Sequence, residues 1–296
     1  MRNRKLLFVV FLITGLYTHI NAQDDLLGIL DQEQPNIVDY TSATFKMTRI
    51  SYGHSIETRK KGILEIFVAN RFWNIPDSKA QSFAADRLAA RIALEYGVTD
   101  RFSMGFGGSN FDGLFDGYLK YKLVRQRKGG SPFSITLLQG GSYNSNAFPD
   151  ATIQDDFSNR LSFTTQALIA RKISSNFSLQ VAPSFIHKGM VPSPIDPKNV
   201  FAVGFGGRYK LGGHVSVVSE YYYVTNPLES VDTYGPFSLG VNWEVGDLML
   251  QFMLTNTRNM VEDTFIVQTP NNFNFRDPNL NFGFNATYVL HLKRKK

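Results

Sequence analysis

Few residues in this chain combine side-chain type and spacing in a way that could do chemistry. His214 and Ser216 stand two apart. A strand would present both on one face, where an imidazole could take the hydroxyl proton for nucleophilic attack. The pair follows a Gly212-Gly213 turn signal, and Arg208 and Lys210 precede it in the same alternation. It therefore points toward the polar side of whatever sheet it belongs to. The other histidines beyond residue 22 are His54, His187 and His291, with no His-x-x-x-His pair, so a zinc site is not expected. There is no Gly-x-Ser-x-Gly sequence to build a nucleophile turn. Asn110-Phe111-Asp112-Gly113 could offer oxygens to calcium, but Asx residues before glycine are ordinary turn chemistry, and a turn is the expectation. Cysteine is absent. That excludes disulfides, thiol chemistry, haem attachment through Cys and thiolate-held metal clusters. No cofactor is expected.

A larger set of candidates is ionic: Arg87, Arg91, Glu95, Lys120, Lys122, Arg208, Lys210, Glu220 and Glu244. Each falls on the polar side of a stretch whose other side is apolar. If the apolar side faces lipid, these charges must face a lumen, because a charge turned toward the middle of a bilayer costs about 2–4 kcal/mol.

The stretch Asn279 to Leu292 shows what kind of element positions them. Leu280, Phe282, Phe284, Ala286, Tyr288, Leu290 and Leu292 alternate with Asn279, Asn281, Gly283, Asn285, Thr287, Val289 and His291, so one face is apolar and the other polar or small. Strands of soluble sheets run about five or six residues, whereas a tilted strand crossing a bilayer needs about nine to eleven. Only Lys293, Arg294, Lys295 and Lys296 follow. Such a strand has to pair, and closing onto the first strand of the chain removes both edges. The same alternation recurs from Gly62 onward, near Leu64–Phe72, Arg87–Val98, Phe102–Phe106, Phe115–Leu123, Phe133–Tyr143, Leu161–Ala170, Phe177–His187, Phe201–Leu211, Val215–Val224, Phe237–Val245 and Leu248–Leu254. With the closing strand this makes about twelve, an even number as bacterial barrels of this kind have. Pro183 cannot donate to a ladder, so a bulge is expected there. Gly246-Asp247 suits a two-residue turn that sets Val245 opposite Leu248 and Asn242 opposite Gln251.

The connections give independent support. Short turns at Thr99-Asp100, Ile173 to Ser175, Gly212-Gly213 and Gly246-Asp247 alternate with long polar segments at 74–86, 144–159, 189–198, 225–234 and 259–278. Tight turns on the inner side and long loops outside are the pattern of an outer-membrane barrel. Residues 1–22 read as an export signal: Arg2, Arg4 and Lys5, then an apolar run Leu6 to Leu16 too short to span, then Ile20-Asn21-Ala22. Its removal before Gln23 lowers Lys plus Arg from 31 to 28 against 25 acidic residues, leaving +3 rather than +6. Nucleic-acid binding is not expected of that charge, and the basic tail at 293–296 reads as solvated. Residues 23–61 do not read as wall. They carry Lys46, Arg49 and Glu57 in a strand-like context and are expected to form an inner-side arm or a lumen plug.

Several of these stretches resemble an uncharacterised family of Bacteroidota outer-membrane β-barrels, a domain of unknown function (family 5777). The similar pieces are Thr44-Phe45-Lys46-Met47-Thr48-Arg49-Ile50 with Gly53-His54-Ser55, Asn70-Arg71-Phe72, Tyr96-Gly97-Val98-Thr99-Asp100-Arg101, and Asp116-Gly117-Tyr118-Leu119-Lys120-Tyr121-Lys122-Leu123. Asn70 stands where members of the family often carry His. The resemblance implies fold and location and no activity. The expectation is thus an all-β, up-and-down transmembrane barrel at 62–296. Its partners are outer-membrane lipid and, during insertion, the barrel-assembly machinery. The positive bias of the lumen favours a porin-like passage for small hydrophilic, preferably anionic solutes. A closed structural or ligand-binding or partner-binding barrel is the second reading, and an outer-membrane phospholipase-type hydrolase using His214 and Ser216 the third.

Overall fold

In the computed structural model, residues 39–74, 85–146, 156–273 and 280–292 are described. The residues expected to form the export signal lie outside them, as do most of the 74–86 loop, parts of the 144–159 and 259–278 loops, and the basic tail. Twelve strands follow one another: β1 (Ile63–Trp73), β2 (Arg87–Gly97), β3 (Phe102–Ser109), β4 (Leu114–Val124), β5 (Ser134–Asn144), β6 (Leu161–Lys172), β7 (Phe177–Lys188), β8 (Asn199–Lys210), β9 (Val215–Val224), β10 (Phe237–Val245), β11 (Leu248–Thr255) and β12 (Asn281–His291). Each pairs antiparallel with its neighbours in sequence, and β1 pairs with β12 to close the barrel. Closure leaves no sheet edge. Two single helical turns lie in loops, α1 (Phe157–Arg160) and α2 (Glu262–Phe265). Among the described residues no helix is long and apolar enough to cross a membrane.

The two faces of the wall invert the usual arrangement of a soluble protein. Ile92 and Phe106 are each 61% exposed, and Phe115, Leu119, Phe201, Phe205, Leu239 and Trp243 are exposed with them. The buried face carries Glu65, Arg71, Arg91, Glu95, Lys120, Gln166, Gln180, Glu220, Gln251 and Asn285. An apolar band this wide is unstable against water and fits hydrocarbon.

The turn at Gly246-Asp247 sets the expected register, with Val245 opposite Leu248 and Asn242 opposite Gln251. Gly246 has φ +61°, a conformation that glycine takes without strain. The bulge expected at Pro183 does not occur. Pairing of β6 with β7 skips Ala167 and Leu168, which face Pro183 and Ala182, and resumes in the same register at Ile169 and Val181. The missing proline N–H interrupts the ladder without inserting a residue. The register shift of the wall lies instead between β4 and β5, at Lys122 and Val124.

Candidate functional site

The site is the lumen. All nine ionic candidates fall on the inner side of the wall by strand alternation, but their surroundings differ. Arg91 is buried and pairs with Asp116, its Nη2 donating to Oδ2 at 2.8 Å. Glu95 is buried and accepts from Ser103 Oγ (2.7 Å) and Tyr118 Oη (2.9 Å). Lys120 is fully buried and donates to the carbonyls of Thr48 (3.2 Å) and Glu57 (2.5 Å), while Lys122 pairs with the Glu57 carboxylate at 2.8 Å. Arg208 donates to Ser216 Oγ at 3.2 Å. Arg87 lies at one rim and is exposed, and Lys210 is half-buried near the opposite rim. Glu244 pairs with Lys46 at 2.9 Å. Glu220, 2% exposed, holds backbone rather than a cation.

What Glu220 holds is a hairpin inside the barrel. The chain enters from the end carrying the short turns, where Tyr40 bridges to Arg127 and lies under the Arg125 guanidinium at 4.0 Å. It turns over at 50–53, with Ile50 N–H donating to the Gly53 carbonyl (3.0 Å) and Ser55 N–H to that of Thr48 (2.8 Å). It then returns to the same end, where Lys61 N–H reaches Asp100 Oδ1 at 3.1 Å before β1 begins. Phe45, Met47, Ile50, Tyr52 and Ile56 are buried, though none belongs to the wall.

The hairpin leaves many backbone groups without β-ladder partners, and the wall supplies them. Glu220 Oε2 accepts the N–H groups of Ser51, Tyr52 and Gly53 at 2.9, 2.9 and 3.1 Å. Gln180 accepts from Ile56 N–H (2.9 Å) and donates to the His54 carbonyl (2.8 Å). Gln251 donates to the Ile50 carbonyl at 2.6 Å, Asn285 to that of Ser51 at 2.9 Å, and Thr136 to that of Ile56 at 2.7 Å. Thr48 donates to Glu65 at 2.8 Å, and the Ser51 and Ser238 hydroxyls lie 2.7 Å apart. Together with Lys120 of β4, these partners come from β1, β5, β7, β9, β10, β11 and β12, so eight of the twelve strands hold the hairpin. Gly53 fits because a Cβ there would collide with the Tyr222 hydroxyl and stand 2.7 Å from Glu220 Oε1.

A second segment fills the lumen from the long-loop end. Residues 256–267 between β11 and β12 are buried apart from Arg258, and α2 lies within them. Phe265, Ile266 and Val267 pack with Ile186, Val200, Ala202, Tyr222 and Leu228. Lys188 of β7 pairs with Asp263 at 2.7 Å. The two inserts meet in mid-lumen. Arg49 Nη1 reaches Glu262 Oε1 at 2.8 Å, His54 Nε2 stands 3.4 Å from the same oxygen, and the Tyr52 and Phe265 rings are 4.7 Å apart.

Cavities open on both sides of this junction. One of about 390 Å³ at the short-turn end is lined by Lys46, Glu57, Arg59, Glu244 and Asp247, and one of about 360 Å³ at the long-loop end by residues of β5, β7 and α2 among others.

Residues 45–290 match the family described as a membrane bound beta barrel domain (DUF5777). The chain belongs to this family. Its place is therefore a membrane, which agrees with the exposed apolar band. No curated protein matches the chain. Similar solved structures include the KdgM porin, with 8% identity and a TM-score of 0.48 over 77% of this chain and 99% of that one. The COG4313 outer membrane channel from Pseudomonas putida F1 shows 13% identity and a TM-score of 0.45 over 79% and 98%. Outer membrane phospholipase A from Escherichia coli shows 9% and 0.42 over 78% and 91%. At these values none of them lends this chain a function.

The His214 and Ser216 pair is not assembled as a nucleophile and base. His214 is exposed in the turn before β9, and Ser216 is buried with its hydroxyl facing Arg208. Asn110-Phe111-Asp112-Gly113 forms a turn: the Asn110 side chain accepts from Ala90 N–H at 2.7 Å, and Gly113 has φ +58°. No group of three or more metal-ligating side chains occurs among the described residues.

Sequence reasoning passed over several residues that build the closure. Arg71 was open to the parity argument, since it alternates with Asn70 on the face opposite Leu64, Ile66 and Val68; it is buried and donates to Asn285 at 2.8 Å. Glu262 and Asp263 stand within a long loop, and the signal there was the apolar run Phe265-Ile266-Val267, which a solvated loop has no reason to carry.

Proposed function

We propose that this protein is an outer-membrane barrel that is closed at rest and admits small hydrophilic solutes when the internal hairpin withdraws toward the periplasm. The single observation carrying this reading is the Glu220 carboxylate gathering three successive hairpin N–H groups. A wall whose side chains satisfy an inserted segment's backbone can exchange those bonds for water when the segment leaves. The short-turn end, through which the hairpin enters, is assigned to the periplasm because tight turns lie there in such barrels. Lipid contacts the apolar band, and assembly follows the usual insertion route of outer-membrane barrels.

The cations that suggested anion selection are engaged at rest: Lys120 with two hairpin carbonyls and Lys122 with Glu57. Charge preference is therefore a property of the open state, in which these cations are released. The test is conductance in a planar lipid bilayer of the chain from Gln23 onward, beside its Glu220→Ala variant. Rare openings in the former and frequent steady steps in the latter support the proposal. Steady ohmic conductance of the unaltered chain overturns it. Silence of both, with the barrel shown folded, favours the second reading of a ligand-binding or partner-binding barrel, which the extensive hairpin contacts also suit.

A further inference from the structure

The cavity at the long-loop end has the make-up of a small-molecule site. Phe111, Met190 and Pro192 give it an apolar wall, and Ser142, Asn144 and Gln268 give it neutral polar groups. Its cations are committed elsewhere: Lys188 to Asp263 at 2.7 Å, and Arg160 to the carbonyls of Asn144 and Asn146, both at 2.8 Å. A lining without free cations gives an anion no counter-charge. Asp263 is 2% exposed, lines the cavity, and has one oxygen, Oδ1, with no hydrogen-bond partner. That oxygen is closed off from the cavity as well as from water, so a donor reaches it only when the lining gives. Asp112, also in the lining, has its carboxyl pushed up to about 7 by burial and by the neighbouring Asp263. In its protonated form, favoured below about pH 7, it both donates and accepts, as amides and hydroxyls do.

We infer that this cavity binds a neutral polyhydroxylated solute of monosaccharide to disaccharide size. Each hydroxyl of such a molecule donates and accepts, matching the amide, hydroxyl and carboxyl lining, and its C–H faces suit the apolar wall. A volume of about 360 Å³ falls at the lower end of small-molecule pockets. The site also bears on the closure. Asp263 and Thr264 line the cavity, while Glu262 and Phe265 of the same helical turn hold Arg49 and Tyr52 of the hairpin. Read this way, the cavity is the outer recognition site of the closed passage, so this inference rests on the proposed function.

The experiment is titration calorimetry of the full mature chain in a sugar-free detergent, with glucose and maltose as neutral probes and glucosamine and glucuronate as charged ones. A neutral saccharide is expected to bind saturably, glucuronate at least tenfold more weakly and glucosamine no more tightly than glucose. Gln268→Ala should weaken binding at least fivefold; its side chain is half-buried in the lining and holds no wall strand. Asp263→Asn should weaken it at least tenfold. Absence of saturable heat with both neutral sugars overturns the inference. So does preference for a charged analogue, or an unchanged affinity in Gln268→Ala. Opening in Glu220→Ala without any saccharide binding would sink the site alone, whereas saccharide binding to a barrel that conducts steadily unaltered would sink the closed-passage reading alone.

Discussion

The two inserts that meet in the lumen both bury apolar side chains against the wall, but differ in how much of their backbone the wall holds. The hairpin has its backbone held by polar side chains of the wall, among them Glu220, Gln180, Gln251, Asn285 and Thr136, and its Phe45, Ile50 and Ile56 pack with Leu138, Leu168, Ala182 and Val218. The loop around α2 is held by an apolar cluster of Phe265, Ile266 and Val267 against Ile186, Val200 and Leu228, with one buried ion pair to Lys188. A hydrogen bond exchanged for one to water changes stability by only about 0.5–1.5 kcal/mol. Apolar burial has no such substitute and is lost at about 25 cal/mol per Å² on exposure. The loop is also tethered to β11 and β12 on both sides, whereas among the described residues the hairpin continues into the wall only at β1. On the proposed function the hairpin is the displaceable insert and the loop the fixed one.

The largest expected effect comes from attacking the fixed insert. Phe265→Ala removes a fully buried ring and should cost about 3–5 kcal/mol, read as a lower unfolding midpoint in urea of the detergent-solubilised barrel. A loss well under 1 kcal/mol would mean that the loop is not the apolar anchor described here. Next in size is Glu220→Ala, which leaves three hairpin N–H groups without their acceptor. It should loosen the hairpin by about 1–3 kcal/mol while leaving the unfolding midpoint of the wall nearly unchanged. Faster protease cleavage near residues 50–53 with an intact barrel is the readout; equal cleavage in both proteins would break the contrast.

Much of the wall was legible in the sequence, because period-two alternation reports which side of a strand meets lipid. It predicted about twelve strands, their closure and the Gly246-Asp247 register. It misjudged Pro183, where an absent donor was read as an inserted residue. The contents of the lumen were less legible for a physical reason. Many of the hairpin's polar anchors act on its backbone, and backbone groups are the same in every sequence. Lys46, Arg49 and Glu57 mark residues 44–57 as unlike wall, but nothing in their order names Glu244, Glu262 and Lys122 as their partners. Those pairs join residues 65 to 213 positions apart.

Smaller effects refine the contrast. The raised carboxyl of Asp112 faces Asp263 and Thr264 of the loop and Lys188 of β7. Because the folded state holds its proton up to about 7 against 3.8 in the ordinary case, the folded state binds more protons between those values. The contribution is complete below about pH 4 and is lost as pH rises through about 7. Thermal unfolding should then show the unaltered chain losing stability from pH 5 to pH 8 relative to Asp112→Asn, and parallel profiles would show that this carboxyl does not sense the loop. The smallest effect is expected from Glu57→Gln, which breaks a pair whose side chains are 12% and 20% exposed. Its cost should be about 1 kcal/mol or less, and a larger fall in protease resistance of the hairpin would move the main anchor from Glu220 to Glu57.

The most direct test uses the absence of cysteine from the chain. Ser51 of the hairpin and Ser238 of β10 have hydroxyls 2.7 Å apart, so replacing both with cysteine allows a disulfide that fastens hairpin to wall. Placed in a planar bilayer with Glu220→Ala, this variant should be silent when oxidised and should open on reduction, reversibly. Equal conductance in the two states would contradict the claim that withdrawal of the hairpin opens the barrel.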